Sequence, residues 1–387
     1  MTRILLLLFL LLGQNSYAAK IELIARADSF QSYRLPLVSY ITNATVTHNS
    51  KGDTAFSFVA IIDNEVRTCI WYSPMNSEQG RIIHIAKKDN TLSDPSLNES
   101  GDLVFAEYNE AQVQGLFVYS SSTDQVRSLL VDKRFISIRD PKINSHGGVI
   151  FRASDKAGVK SIIYQRDGVD STIISSKDVG VSYIFSANFL NEDSIILKTR
   201  RGLAGEVTER QPDHITQVTF AGDRVVRAED RDSDERSSII QFNNTIGSSA
   251  KSSQFAFIGT NSNSSRALYR SVGNKLELIV EEGKQGIKQL EYFAPSINSS
   301  GNIAFRAIDD QGKRGIFWSD GKIVKSYLKA GDLIDTDITT AKIHAARGPS
   351  FGGGLTINEL DEVVFQAKVF TKELEKDLGT VVLKASF

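Results

Sequence analysis

The sequence has one cysteine, Cys69, so an internal disulfide is excluded. The fold must be held by burial, and 387 residues suffice for a large core. Net charge is nearly absent: 45 Lys and Arg stand against 46 Asp and Glu. That balance argues against a broad electrostatic surface for nucleic acid. Long apolar runs are missing except at the start. There Arg3 precedes the apolar run Ile4–Leu12, and Ser16-Tyr17-Ala18 supplies a small-x-small cleavage pattern. This layout predicts a secretory signal peptide over residues 1–18 and a mature chain from Ala19. The run is shorter than the roughly 20 residues that span a bilayer. No Cys follows it to take a lipid, and no later segment approaches spanning length. The expectation is a secreted or periplasmic monomer, without membrane insertion or cofactor.

What the chain has in quantity is repetition. The pattern N-x-x-G-x-x-A-F is clear at Asn49 ("NSKGDTAF"), Asn98 ("NESGDLVF"), Asn144 ("NSHGGVIF") and Asn298 ("NSSGNIAF"). Weaker copies begin at Asn191 ("NEDSIILK"), Ala250 ("AKSSQFAF") and Asn358 ("NELDEVVF"). A period of about fifty with short strands points to propeller blades. Asn at the first position and Gly at the fourth suit a turn between two strands. Consecutive apolar residues after the turn, as in Val149-Ile150-Phe151, indicate strands covered on both faces.

Further strands follow in each unit, such as "GIFWS" at Gly315 and "KIVKSYLKAG" at Lys322. The seventh unit lacks its outer strand at the C-terminus. "KIELIARAD" at Lys20 matches the outer strand "KLELIVEEG" at Lys275. The expected fold is therefore an all-β, seven-bladed propeller of four-stranded antiparallel blades over residues 19–387. The N-terminal strand is expected to complete the last blade and close the ring, removing the free edges of an open array. The repeats resemble the tandem NxxGxxAF-repeat family of secreted bacterial β-propeller-like proteins. The resemblance covers nearly the whole mature chain and implies no particular reaction. Members often carry a C-terminal anchor; this chain ends at Phe387 without one, so retention at a surface is not expected.

Function is expected on the face carrying the blade connections, where two blade intervals are longer than the rest. One holds "DRVVRAEDRDSDERSS", a charged loop with Arg231. Its Asp230, Asp232 and Asp234 fail the EF-hand pattern, with Glu235 at the sharp-turn Gly position. The other holds Asp332, Asp335 and Asp337, weak candidates for a cation, with His344 and Arg347 nearby. Its "GPSFG" matches G-x-S-x-G in letters, but no helix pattern follows Ser350, as a nucleophile elbow requires. A flexible glycine-rich loop is the simpler reading. Asp94 and Asp140 each lie four residues before a turn Asn, placing two carboxylates at the start of adjacent inner strands. Such a pair can serve acid–base chemistry on a glycosidic bond, although capping before Pro explains them more simply. The five histidines show no metal-ligand spacing, and Cys69 reads as packing.

Two main readings result. The first is an exported binding module presenting one face to a protein or glycan. The alternative is a saccharide-active hydrolase or lyase using Asp94 and Asp140, with Arg200, Arg201 or Arg347 holding an anionic group. A purely structural envelope component is a third.

Overall fold

Each complete N-x-x-G motif closes a turn between the two innermost strands of a blade. Asn298 Oδ1 accepts the Asn302 N–H at 3.0 Å, and the Gly301 N–H returns to the Asn298 carbonyl at 3.0 Å. Gly301 sits at φ +82°, a left-handed backbone that glycine adopts without steric cost. The computed structural model describes residues 19–75, 80–109, 113–130, 134–203, 212–345, 349–373 and 376–387. The signal-peptide stretch 1–18 lies outside them.

All regular structure among the described residues is β, in seven antiparallel sheets. Blade 3 is representative: from the axis outwards it runs Phe135–Ile143, Val149–Asp155, Lys160–Arg166 and Val169–Ser175. Blade 4 places Tyr183–Asn191 innermost, then Ser194–Arg200, Asp213–Thr219 and Arg224–Glu229. Blade 5 has Ile239–Ser249 innermost, followed by Gln254–Asn261. The motif aromatics Phe56, Phe105, Phe151, Phe257, Phe305 and Phe365 are all buried between blades. Each contributes roughly 1.5–3 kcal/mol by leaving water.

The expected ring closure is present. Lys20–Ala27 pairs antiparallel with Asp377–Ser386, from Lys20↔Ser386 to Ala27↔Thr380, as the outer strand of blade 7. Arg26 on this strand is only 1 % exposed. Its guanidinium grips both oxygens of Asp337 at 2.8 Å and donates to the Leu378 carbonyl at 3.2 Å. Asp337 lies at the tip of a hairpin, Leu333–Asp335 with Thr340–Ile343, which extends the inner edge of blade 7. Blade 7 thus carries one strand more than expected.

Three local expectations are corrected. Arg224–Glu229 is the outer strand of blade 4 rather than part of a charged loop; extra length in this blade joins its second and third strands, between Arg200 and Asp213. The glycine-rich run is not a flexible loop, because Phe351–Ile357 is a strand of blade 7. Gly353 there has φ +52°, and a Cβ on it would stand 1.9 Å from the Ala44 carbonyl oxygen of blade 1. The glycines thus serve close approach between two backbones. Finally, the blade 4 turn is one residue shorter than the motif, with Asn191 pairing directly with Ser194. Leu197 therefore takes the place of the motif Phe, and Lys198 the place after it.

Candidate functional site

The inner strands do not run straight. Register shifts interrupt them at Arg139/Lys142, Ile184/Ala187, Phe242/Ile246 and Gly352/Thr356, and gaps divide them between Tyr40 and Thr47, Leu92 and Ser96, and Leu290 and Ser296. One edge of each inner strand is taken by the second strand. The extra residues are therefore displaced toward the other edge, which faces the channel. Seven bulges thus ring the channel.

A bulge leaves backbone carbonyls without ladder partners, and buried groups need them. The residue after the motif Phe answers this need across the blade boundary. Arg306 Nη1 and Nη2 donate to the Gly353 and Phe351 carbonyls at 2.9 Å. Gln366 Nε2 donates to the Ala44 carbonyl, and Arg152 Nη1 to the Ile184 carbonyl at 3.5 Å. Lys198 Nζ reaches Asn244 Oδ1 at 2.8 Å and the Phe242 carbonyl at 3.4 Å. Ser57 Oγ donates to Asp94 Oδ1 at 3.0 Å.

Asp94 and Asp140 occupy two of these bulges, within their inner strands rather than at the start. Asp94 Oδ2 accepts the Thr45 N–H at 2.8 Å, back toward blade 1. Asp140 accepts the Ser186 hydroxyl, forward toward blade 4, and stands 3.7 Å from Arg152. The two act together on Tyr108. Burial pushes that phenol up to about 12; Arg139 opposes the shift, and Asp140 and Asp94 add to it. The carboxylates thus link neighbouring blades, Asp94 to blade 1 and Asp140 to blade 4.

A gathering of charge lies between blades 4 and 5, in a cavity of about 580 Å³. Phe185 from the blade 4 bulge and Asn244 from the blade 5 bulge line it, with Lys198, Arg200, Asp213 and Asp230. Lys198 is 3 % exposed. Its ammonium lies 2.9 Å from Asp213 Oδ2 and 4.0 Å from the Phe185 ring centroid. Arg200 holds the same carboxylate through two bonds, at 2.9 and 3.3 Å. Asp230 Oδ2 accepts the Asp213 N–H at 2.8 Å. Burial lowers the proton affinity of Lys198 against the opposing pull of Asp213, and burial raises that of Asp230. Two cations meet three carboxylates at the wall, because Asp232 also lines the cavity, beside an aromatic ring.

Other sequence candidates lie apart from this cluster. Arg201 anchors its chain through a backbone bond to the Pro212 carbonyl, and Arg231 donates to the Ser237 carbonyl at 3.3 Å. Asp332 accepts the Lys329 N–H at 2.7 Å, Asp335 the Thr340 hydroxyl at 2.8 Å, and Asp337 pairs with Arg26. The structure therefore gives these three carboxylates three separate partners. His344 stacks on Phe370 at 4.8 Å; Arg347 lies outside the described residues. Burial pushes the Cys69 thiol up to about 12, consistent with packing. The Lys198–Asp213 cluster was missed as a unit. Its signal was the interruption of "SIILKTR" by a lysine in an otherwise buried strand.

At the other end of the channel, the turn asparagines link the blades. The Asn298 side chain donates to the Asn358 carbonyl, Asn358 to Asn49, Asn49 to Asn98 and Asn98 to Asn144, at 3.0–3.2 Å. The residue after each Asn faces the axis. Lys251 of blade 5 stands 3.7 Å from Glu99 of blade 2 and 3.9 Å from Glu359 of blade 7. Blades that are not neighbours meet only at the axis, so side chains occupy the channel at this level.

Two carboxylates give the seams a pH dependence. Hydrogen bonding from His48 holds Glu362 at about 2; burial opposes, and Asn358 and Lys384 assist. Burial would raise Glu107, but hydrogen bonds from His84, Asn90 and the Lys87 N–H outweigh it and hold it at about 2. Both ordinarily titrate near 4.5. A depressed folded value contributes stability above the unfolded value and loses it as pH falls toward the folded one. Urea unfolding is expected to show stability falling as pH drops from about 4.5 toward 2, with a shallower fall in Glu362→Gln. A flat profile through that window contradicts these assignments.

No family model matches the chain, and no curated protein matches it in sequence. Solved structures share its fold. An oligogalacturonate lyase from Vibrio parahaemolyticus superposes with a TM-score of 0.55 at 10 % identity, covering 95 % of this chain and 97 % of the other. An oligogalacturonate lyase in complex with manganese gives 0.56 at 8 % identity, covering 96 % of each. The acylaminoacyl peptidase of Pyrococcus horikoshii gives 0.55 at 12 % identity, over 86 % of this chain and 50 % of the peptidase. At these identities the likeness establishes the seven-bladed propeller architecture and nothing finer.

Proposed function

We propose that this is an exported propeller that binds a saccharide in the cavity between blades 4 and 5. The observation that carries this reading is the Lys198–Asp213–Arg200 cluster beside Phe185. A sugar ring offers an apolar C–H face to an aromatic ring and hydroxyls to fixed charged groups. Lys198 and Arg200 offer N–H donors that suit a carboxylate-bearing sugar. A concave site of this size suits a glycan better than a folded protein partner, which needs a broader surface.

Calorimetric titration against neutral and uronate oligosaccharides tests the proposal. Binding to a uronate oligomer is expected, weakened about tenfold or more in Lys198→Met and in Phe185→Ala, each checked for wild-type melting. Failure of the wild type to bind any member, or full affinity in both variants, overturns it.

Lyase chemistry on a uronate is a second reading, favoured by the lowered proton affinity of Lys198. A lysine of lowered proton affinity next to a sugar acid is a candidate base. Two solved structures of the same fold are oligogalacturonate lyases, which makes oligogalacturonate the substrate to try first. Ultraviolet absorbance from an unsaturated product, lost in Lys198→Met, is the expected mark. Binding without such absorbance leaves the module a binder alone.

A further inference from the structure

We infer that Tyr292 and Phe293 form a second subsite, a stacking platform for another sugar ring of the same saccharide chain; the inference rests on the blade 4–5 pocket reading. Both residues lie in the 291–295 bulge of blade 6, between the inner-strand segments Ile287–Leu290 and Ser296–Ile297. Tyr292 is 66 % exposed and Phe293 38 %. The two rings are consecutive in the bulge, and each keeps a large part of its surface in water.

They are nevertheless fixed. The Arg266 guanidinium lies 4.2 Å from the Tyr292 ring centroid, and that of Arg306 lies 3.7 Å from Phe293. Arg266 is held in turn by Glu282 at 2.9 Å and the Leu290 carbonyl at 2.6 Å. Arg306 is held by Glu291 at 2.8 Å and by the two blade 7 carbonyls. Cation–π contact of this kind immobilises the rings. A preordered platform gives up little freedom when a ligand arrives.

Blade 5 stands between the platform and the pocket, and its inner strand touches both. Asn244 in its bulge lines the pocket. Three residues further along, a Cβ on Gly247 would stand 2.0 Å from the Pro295 carbonyl oxygen. Blade 5 and the platform loop therefore approach as closely as backbones allow. An extended saccharide held at Lys198 and Arg200 crosses the blade 5 bulge to reach Tyr292. Glu291 and Arg314, paired at 3.0 Å at the foot of the loop, present polar groups there for sugar hydroxyls.

The test compares a galacturonate disaccharide with the hexasaccharide by titration calorimetry. The wild type is expected to bind the hexasaccharide more tightly. Tyr292→Ala combined with Phe293→Ala is expected to lower hexasaccharide affinity about tenfold and leave the disaccharide unchanged. Tyr292→Phe, which keeps the stacking face, is expected to retain wild-type affinity. Equal loss for both lengths, or no loss for the hexasaccharide, overturns the platform while leaving the pocket intact. Absence of binding of either length to the wild type overturns the pocket reading, and the platform with it.

Discussion

Removal of Lys20–Ala27 is expected to cost the protein most of its stability. This strand is remote in sequence from the blade it completes, so its strand pairing is long-range. Ile24, Ala25 and Ala27 are buried against blades 7 and 1, and a fully buried aliphatic side chain such as Ile24 contributes roughly 1.5–3 kcal/mol. Arg26 adds a buried ion pair whose breakage costs about 3–5 kcal/mol. Deletion also opens the Asp377–Ser386 edge to pairing with other chains. Folded proteins are stable by about 5–15 kcal/mol in total, so little is left. Calorimetry of the truncated chain is expected to show a melting transition far below that of the full chain, or none. A truncated protein melting within a few degrees of the full chain contradicts closure by this strand. Asp337→Asn isolates the ion pair and is expected to cost less than the deletion.

Arg306→Met is expected to be the most damaging single substitution in the inter-blade clasps, at about 3–5 kcal/mol. It orphans two buried carbonyls of blade 7, at Phe351 and Gly353, and removes one of the two arginines on Glu291. Methionine fills the volume without supplying a donor. Chemical denaturation measures the loss, and hydrogen exchange is expected to localise it to Phe351–Ile357. The double variant with Glu291→Gln is expected to recover part of the loss, because the carboxylate no longer lacks a partner. A cost below about 1 kcal/mol, the size of an ordinary exposed pair, contradicts a clasp role for Arg306.

The turns and the ring closure were legible in the sequence because they depend on local chemistry. Asn298 and Gly301 announce their turn by residue type, and "KIELIARAD" shares its Lys, Glu, Leu and Ile in register with "KLELIVEEG". The clasps were not legible, although Arg152, Arg306 and Gln366 all follow a motif Phe. Their purpose is visible only once the bulges are known, and a bulge is a mismatch between two strands rather than a property of one. Blade 4 shows how small the obstacle was. Counting from Asn191 aligns Lys198 with the motif Phe. Its turn is shorter by one residue, and in a strand a shift of one moves every side chain to the opposite face. Asp94 and Asp140 stand out by their spacing, but their partners Thr45, Ser57 and Ser186 lie in other blades, beyond the reach of spacing arguments.

The Lys251 contacts with Glu99 and Glu359 tie blades 2, 5 and 7 together by charge across the turn end of the ring. Three blades that share no seam are thereby coupled, and a solute that crosses the ring toward the turn face meets this charged bridge on its way.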